Sequence, residues 1–161
     1  MTYTIYCDGS CRKNGTKGAI GAYAFAIVDN ERVLRAQAGI EKDTTNQRME
    51  LLACIKGYEA VFDVLGASPS DDIVIYTDSA YLHNCYVQKW YERWLTNGWM
   101  NSKREPVANK DLWIKILPIF NNARARFEKC KGHAGVKWNE YVDGLAQSAS
   151  ACYVEVSCSE S

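Results

Sequence analysis

Two stretches of this chain follow an apolar run with an aspartate and, soon after, a serine. Residues 3–10 read Tyr-Thr-Ile-Tyr-Cys-Asp-Gly-Ser, and residues 73–79 read Ile-Val-Ile-Tyr-Thr-Asp-Ser. Both runs predict buried strands that end at Asp8 and Asp78. If the strands are parallel neighbours, the two carboxylates meet at one edge of the sheet, where they repel each other unless a cation lies between them. The sequence therefore predicts a metal site at this edge.

Two further acids stand where structure alone does not require them. Glu50 falls in the first turns of a predicted helix, and Asp143 lies on the last predicted helix. Two-metal phosphodiester hydrolysis needs a cluster of hard oxygen ligands that holds two divalent ions about 4 Å apart. Each acid also has a plain structural explanation, as a turn former, a charge at a helix N-terminus or a surface residue. Only the four together favour metal-assisted chemistry.

The elements that would position these acids belong to one α/β domain, since 161 residues is the length of a single domain. Alternating apolar residues predict strands over residues 18–28 and 32–40, joined by a turn at residues 29–30. Residues 44–47 have the form of a capping box, and the helical spacing that follows predicts a helix to about Val64. Because the next strand returns parallel to the first, a right-handed crossover lays this helix across one face of the sheet.

The second half of the chain is richer in aromatic residues. Tyr86, Trp90 and Trp94 are spaced by four, which predicts a helix that breaks at residues 97–98. The segments that follow are predicted to be an irregular stretch over 101–109, a short helix over 112–117, a strand over 124–130, a loop over 131–137 and a helix over 138–151. Pro118 is expected to end or kink the short helix. The tail over 152–161 shows no structural pattern.

The composition is that of an ordinary globular protein, with 47% apolar and 24% charged residues and no apolar run of the length that spans a membrane. The chain enters a strand directly after Met1, which predicts no signal peptide. Seven cysteines without Cys-x-x-Cys spacing favour reduced thiols in the cytoplasm. The net charge of zero argues against a strongly basic nucleic-acid binder, but basic residues dominate residues 81–115 and 124–137, which permits a basic face.

Four segments resemble the signature motifs of ribonuclease H, type 1, and they occur in that family's order. They are Asp8-Gly-Ser, Thr45-Asn-Gln-Arg-Met-Glu50-Leu, Thr77-Asp78-Ser, and Lys131-Gly-His133-Ala-Gly followed by Asn139-Glu-Tyr-Val-Asp143-Gly-Leu-Ala. The similarity runs from residue 3 to about residue 151, so we expect a catalytic domain over 1–151 and a short tail over 152–161. The resemblance implies an endonuclease that cuts the RNA strand of an RNA–DNA hybrid and leaves 5′-phosphate and 3′-hydroxyl ends.

The resemblance also implies the roles of the matching residues. Asp8, Glu50, Asp78 and Asp143 match the carboxylates that bind two Mg²⁺ ions, with Mn²⁺ as the alternative metal. His133 matches a loop histidine associated with proton transfer or product release. An imidazole between glycines titrates near neutral pH and can reach a phosphate without being a metal ligand. An ordinary surface histidine is the alternative.

Other residues match the surface that holds the hybrid. Those that match positions lining its minor groove, where amides read base edges and 2′-hydroxyls, are Cys11, Asn14, Asn46 and Gln47. Gly9, which lets the backbone approach a ligand closely, and Ser10 belong to the first motif. Thr45 matches part of a pocket for a phosphate of the DNA strand. Gln47 and Thr45 also suit a helix cap, and Cys11 also suits a small residue at a strand edge.

The tryptophan-rich stretch resembles the basic protrusion, or handle, of the bacterial branch of the family. We assign Trp90 and Trp94 mainly to packing, because tryptophans at this spacing often pack helices together. The basic residues expected either to contact the nucleic-acid backbone or to be ordinary solvated charges are Lys89, Arg93, Lys103 and Arg104. Ala80 stands where many bacterial relatives carry a glutamine. This departure predicts that one minor-groove contact is missing. The acids Glu92 and Glu105 in the handle, together with the neutral net charge, predict weaker and more salt-sensitive binding.

These elements and the resemblance together predict an α/β three-layer ribonuclease H-like fold. Its mixed sheet has five strands in the order 3-2-1-4-5, with strand 2 antiparallel to its neighbours and helices on both faces. We expect a cytoplasmic monomer without membrane contact. Two other functions stay open: a nucleic-acid-binding module that does no chemistry, and a DNA-directed nuclease on the same fold.

Overall fold

The computed structural model of the protein describes residues 1–12, 17–129 and 132–160, with the side chains of 132–136 and 153–160 excepted. The elements, in chain order, are β1 (Thr2–Arg12), β2 (Ile20–Asp29), β3 (Arg32–Lys42), α1 (Asn46–Asp63), β4 (Asp72–Thr77), α2 (Ala80–Gln88), α3 (Trp90–Asn97), α4 (Lys110–Phe120), β5 (Ala125–Lys129) and α5 (Gly132–Glu160). Asn14 and the side chain of His133 lie outside the described residues. No helix in the described part of the chain combines the length and the apolar character needed to cross a bilayer.

The strands form one mixed sheet in the order β3-β2-β1-β4-β5. β2 is antiparallel to both β1 and β3, whereas β1 and β4 are parallel, as are β4 and β5. This topology confirms the predicted fold. The hairpin between β2 and β3 turns at Asn30 and Glu31, whose φ angles are +47° and +67°, so the turn lies one residue later than predicted.

The two faces of the sheet carry separate apolar cores. On one face, Phe25 and Ile27 of β2 pack with α1 and α4. On the other face, the alanines of β2 contact α5 through Trp138, Val142 and Ala146. Alanine side chains are small, and they allow α5 to lie close to the sheet. The alternation predicted for β2 is therefore confirmed, and it fixes which face each helix covers.

Helix α1 begins one residue later than a capping box at residues 44–47 would require. Thr45 is the N-cap, and its Oγ1 atom accepts a hydrogen bond from the Arg48 backbone N–H at 3.2 Å. Thr44 is buried instead, and within the described residues its hydroxyl has no hydrogen-bond partner. The predicted capping box is wrong, although the predicted helix end near Val64 is confirmed, since Val64 is the C-cap.

In the second half of the chain, one helix break and one helix end differ from the predictions. Lys89 adopts a left-handed conformation with φ of +55° and divides the expected single helix into α2 and α3, while Gly98 ends α3 as predicted. Pro118 does not end α4, which continues to Phe120. The carbonyl that loses its partner there belongs to Ile114, which is exposed, so water can satisfy it.

The last helix is longer than predicted at both ends. The backbone is helical from Gly132 to Glu160, so the loop expected over 132–137 and the helix end expected at residue 151 are wrong. Val142, Ala146 and Ser150 are buried at a spacing of four and hold the middle of α5 against the sheet. The glycines at its start permit a helix as well as a loop, and no proline interrupts it.

Candidate active site

The prediction that Asp8 lies at the end of a strand is wrong, because β1 continues to Arg12. The prediction fails because β1 has two neighbours of different length. Its pairing with β4 stops at Tyr6 and Tyr76, whereas its pairing with β2 continues to Arg12. Asp8 therefore lies just beyond the last parallel pair. Asp78 directly follows the last residue of β4, so both carboxylates emerge at the same edge, as expected.

Glu50 is brought to this edge by close contact between α1 and β1. A Cβ atom on Gly9 would overlap the carbonyl carbon of Met49 and lie 2.5 Å from the backbone nitrogen of Glu50. Gly21 on β2 has a similar relationship with the Met49 side chain, at 2.6 Å. The close approach that we expected Gly9 to offer a ligand is thus made by the first turns of α1.

Asp8 is the most deeply buried of the four acids, with 9% of its surface exposed. Burial, the charge of Asp78 and a hydrogen bond with Asp143, in that order of importance, together raise the pKa of Asp8 to about 8. The ionised form of Asp8 is therefore disfavoured unless positive charge is supplied nearby.

Glu50 is half-buried and belongs to the same electrostatic environment. Burial raises its pKa, a hydrogen bond with the Ser79 hydroxyl opposes that shift, and the charge of Asp78 adds to it. Ser79 is itself held in place, because its Oγ atom caps α2 by accepting from the Leu82 N–H at 3.1 Å. Its backbone N–H donates to Thr77 Oγ1 at 3.0 Å. The Glu50 carboxylate thus contacts a group fixed at the end of β4.

Asp143 reaches the site from α5, on the opposite face of the sheet. Trp138 and Val142 are buried against the strands beside it, and the Trp138 ring lies 6.4 Å from the Tyr6 ring, centroid to centroid. One turn after Asp143, the Gln147 side-chain amide donates a hydrogen bond to Asp143 Oδ2 at 2.9 Å. This contact restricts the rotation of the Asp143 carboxylate.

The structure thus brings the predicted acids into one acidic site, which we define as Asp8, Glu50, Asp78 and Asp143. Their oxygens are the hard donors that divalent cations such as Mg²⁺ prefer. As the side chains stand, no three His, Cys, Asp or Glu residues in the described ranges are set to hold one ion. Donor type and mutual repulsion nevertheless fit a cation.

The residues predicted to contact the minor groove lie on two neighbouring segments. Ser10 and Cys11 are half-buried on the continuation of β1, and Asn46 and Gln47 are exposed at the start of α1. The Cys11 thiol donates to the carbonyl of Thr44 at 3.4 Å, which joins the two segments. Burial raises the pKa of this thiol.

The tryptophans of the second half pack together, as predicted. Trp94 lies 6.3 Å from Trp90, 5.9 Å from Trp99 and 5.4 Å from Trp113, between ring centroids. We define the basic surface as four exposed cations of this part of the chain, Lys89, Arg93, Lys103 and Arg104. A shallow pocket between α3 and the following turn is lined by Lys89, Trp90, Arg93, Trp94, Asn101 and Ser102, among others. Aromatic faces and cations are thus combined on one surface.

Ser79 and Gln147 contact the acidic site although neither was predicted to do so. Both could have been found from spacing. Ser79 follows Asp78 and precedes a helix, the position of an N-cap. Gln147 is four residues after Asp143, the spacing at which helical side chains meet.

Fold and site define a class of α/β domain in which carboxylates from two parallel strands and two helices meet at one sheet edge. The family model described as RNase H matches residues 1–151. A relative named Ribonuclease H from Syntrophomonas wolfei subsp. wolfei is 44% identical over 145 residues, which are 90% of this chain and 93% of the relative. Another from Chlorobaculum parvum is 39% identical over 92% of this chain and 94% of the relative. This chain belongs to the ribonuclease H family and is an enzyme of that family.

Solved structures have the same fold. LC9-RNase H1, a type 1 RNase H with the type 2 active-site motif, superposes with a TM-score of 0.74 at 27% identity, covering 93% of this chain and 72% of that one. The foamy viral protease-reverse transcriptase in complex with dsDNA superposes with a TM-score of 0.77 at 21% identity, over 92% and 93% of the two chains. The latter likeness concerns the fold alone. Enzymes of the ribonuclease H family are generally metal-dependent.

Proposed function

We propose that this protein is an endonuclease that hydrolyses the RNA strand of RNA–DNA hybrids and leaves 5′-phosphate and 3′-hydroxyl ends. The observation that carries the proposal is the acidic site, where burial and the neighbouring Asp78 and Asp143 raise the pKa of Asp8 to about 8. A fold does not usually retain such repulsion without use. Membership of the ribonuclease H family supports the class of reaction.

The acidic site is proposed to bind two Mg²⁺ ions, with Mn²⁺ as the alternative. Four carboxylates provide hard oxygen donors and enough negative charge for two divalent cations. When bound, the ions supply an activated water and neutralise the charge that develops on the phosphate. The contribution of the chain is to hold its carboxylates in a fixed arrangement. Ser79 does this for Glu50, and Gln147 does it for Asp143.

Recognition of the substrate is assigned to residues beside the acidic site. Amide and hydroxyl groups can tell RNA from DNA through the 2′-hydroxyl. The residues proposed to contact the hybrid near the scissile bond are Gly9, Ser10, Cys11, Asn14, Thr45, Asn46 and Gln47. The exposure of Asn46 and Gln47 at the start of the helix that carries Glu50 supports this assignment. His133 is proposed to transfer a proton or to assist product release.

The nucleic-acid backbone is proposed to lie on the basic surface. Its four cations are exposed, and two of them, Lys89 and Arg93, line one pocket with half-buried tryptophans, a combination that suits phosphates and sugars. Of the residues that we assign to substrate contact, Lys103 and Arg104 supply charge while Trp90 and Trp94 mainly support the surface from below. We further propose a monomer that acts in the cytoplasm, with residues 1–151 as the catalytic domain.

A cleavage assay tests this function. End-labelled RNA–DNA, RNA–RNA and DNA–DNA duplexes of one sequence are incubated with the protein, with and without Mg²⁺. We expect cleavage of the RNA strand in the hybrid alone, and only with the metal. Hybrid binding without cleavage would indicate a binding module, and cleavage of the DNA duplex would indicate a DNA-directed nuclease. Asp78→Asn serves as the inactive control for a contaminating nuclease.

A further inference from the structure

The Arg48 side chain joins three elements at the edge of the acidic site. Its Nη1 and Nη2 atoms donate to Oδ1 and Oδ2 of Asp111 at 2.9 and 3.0 Å, a bidentate ion pair. Its Nε atom donates to Glu41 Oε1 at 3.2 Å, and Nη1 also donates to Asn109 Oδ1 at 3.5 Å. The guanidinium therefore connects the end of β3, the start of α1 and the start of α4.

The α1 end of this connection bears on catalysis. Arg48 is two residues before Glu50, and its backbone N–H is held by the Thr45 cap. Gly9 lies against the Met49–Glu50 peptide from the side of β1. Neither contact involves the guanidinium, so Glu50 should keep its place relative to Asp8 when the Arg48 side chain is removed.

The α4 end of the connection leads to the basic surface. Residues 99–107, which carry Lys103 and Arg104, form a closed turn. Asn101 Oδ1 accepts from the N–H groups of Lys103 and Glu105 at 2.9 and 3.0 Å, and the Val107 N–H donates to the Trp99 carbonyl at 2.9 Å. Val107 is buried, and the chain then passes directly to Asn109 and Asp111.

We infer that Arg48 is a positioning residue that fixes the position of the basic surface relative to the acidic site. A fork of two parallel hydrogen bonds fixes orientation as well as distance, which a single contact cannot do. A hybrid that lies on both surfaces then presents a defined phosphate to the carboxylates. This inference rests on the proposed function, since it presumes that a hybrid contacts both surfaces.

The test separates positioning from general support of the fold. KM and kcat are measured for Arg48→Ala and the wild type on a series of hybrids of increasing length. For long hybrids we expect KM to rise on the order of tenfold, because a charged bidentate contact is lost, while kcat changes less. For hybrids too short to reach the basic surface, the ratio of the two KM values should approach one. A merely structural role would lower kcat by the same factor at every length.

Two further variants keep the test decisive. Asp111→Asn retains one acceptor on an exposed residue, whose side chain is 63% accessible, and should raise KM on long hybrids by a smaller factor. It replaces Arg48→Ala if thermal melting shows that the latter does not fold. Arg124→Ala removes the exposed ion pair with Asp72, where the two atoms are 3.2 Å apart, and should leave both constants unchanged.

The outcomes distinguish failure of this inference from failure of the proposed function. If the wild type cuts no hybrid, the proposed function is overturned. If the wild type cuts hybrids but KM for Arg48→Ala and Asp111→Asn equals that of the wild type at every length, or kcat falls uniformly, only the positioning role is overturned.

Discussion

Gly9 on β1 lies directly beneath Glu50 on α1, so close that a Cβ atom on Gly9 would stand 2.5 Å from the Glu50 backbone nitrogen. Gly9, the residue after Asp8, thus determines how closely the Glu50 end of α1 approaches β1. The distance between Asp8 and Glu50 is therefore determined by the packing of backbone against backbone, which changes less than the packing of long side chains.

Replacement of Gly9 with alanine should lower both stability and activity. The new methyl group would overlap the Met49–Glu50 peptide, and overpacking of this kind costs about 1–3 kcal/mol of unfolding free energy. Urea denaturation and a hybrid cleavage assay measure the two effects. Gly144→Ala is the matched control, because a Cβ there meets nothing within 4 Å and alanine favours a helix by about 1 kcal/mol. Equal stability of the two variants would contradict the packing argument.

The acidic site should make stability depend on pH when divalent metal is removed. The pKa of Asp8 is raised from 3.8 to about 8, so the folded state holds a proton that the unfolded state releases. Its contribution to stability is therefore present at acid pH and is lost as pH rises between these two values. After a discount for coupling and partial solvation, we expect a loss of roughly 2 kcal/mol.

Asp8→Asn tests that origin. In the presence of a chelator, the wild type should be less stable at pH 8 than at pH 5, and this difference should be clearly smaller in the variant, where Glu50 still has a raised pKa. Added Mg²⁺ should restore the wild type at pH 8 and leave the variant nearly unaffected. A slope with pH as steep in Asp8→Asn as in the wild type would assign the effect to other groups.

Asp78→Asn should abolish cleavage without unfolding the protein. Asp78 is exposed at the end of β4, so the substitution removes charge and leaves the core intact. We expect activity to fall by more than about 100-fold, since loss of the outer partners of a metal ligand alone costs about 10–100-fold. The pKa values of Asp8 and Glu50 should both fall, because the Asp78 charge raises each. NMR titration of the side-chain carboxyl carbons measures the second effect.

Gln147→Ala should weaken the binding of metal rather than remove activity. Gln147 donates to Asp143 Oδ2 at 2.9 Å, and an outer contact of this kind is worth about tenfold in metal affinity. The Mg²⁺ concentration that gives half-maximal cleavage should rise by this factor, with full activity recovered at high Mg²⁺. Ser148→Ala, at the next and equally exposed position, is the control. An unchanged Mg²⁺ requirement in Gln147→Ala would remove this residue from the site.

The fold could be predicted from the sequence because its main signals are local. The alternation of β2 assigns its alanines to one face and Phe25 to the other, and the structure confirms both assignments. The strand order follows from one antiparallel hairpin and right-handed crossovers. The four acids could be selected because two of them directly follow apolar runs and the other two lie on clearly predicted helices.

What could not be predicted depends on contacts between distant residues. The end of β1 is set by β2, which pairs with it as far as Arg12, and no local pattern encodes that length. The break at Lys89 is made by a positive φ, which lysine rarely adopts. Because no glycine or proline stands there, the sequence does not signal the break. The ion pair between Arg48 and Asp111 joins residues that are 63 positions apart, so no local pattern indicates it.

Diffraction from crystals of the protein grown with a hybrid and Mn²⁺, recorded at the manganese absorption edge, tests the metal site most directly. The account predicts two anomalous peaks about 4 Å apart, each within roughly 2.0–2.6 Å of oxygens from Asp8, Glu50, Asp78 or Asp143. Peaks elsewhere, or four carboxylates that bind no common ion beside the scissile phosphate, would contradict it.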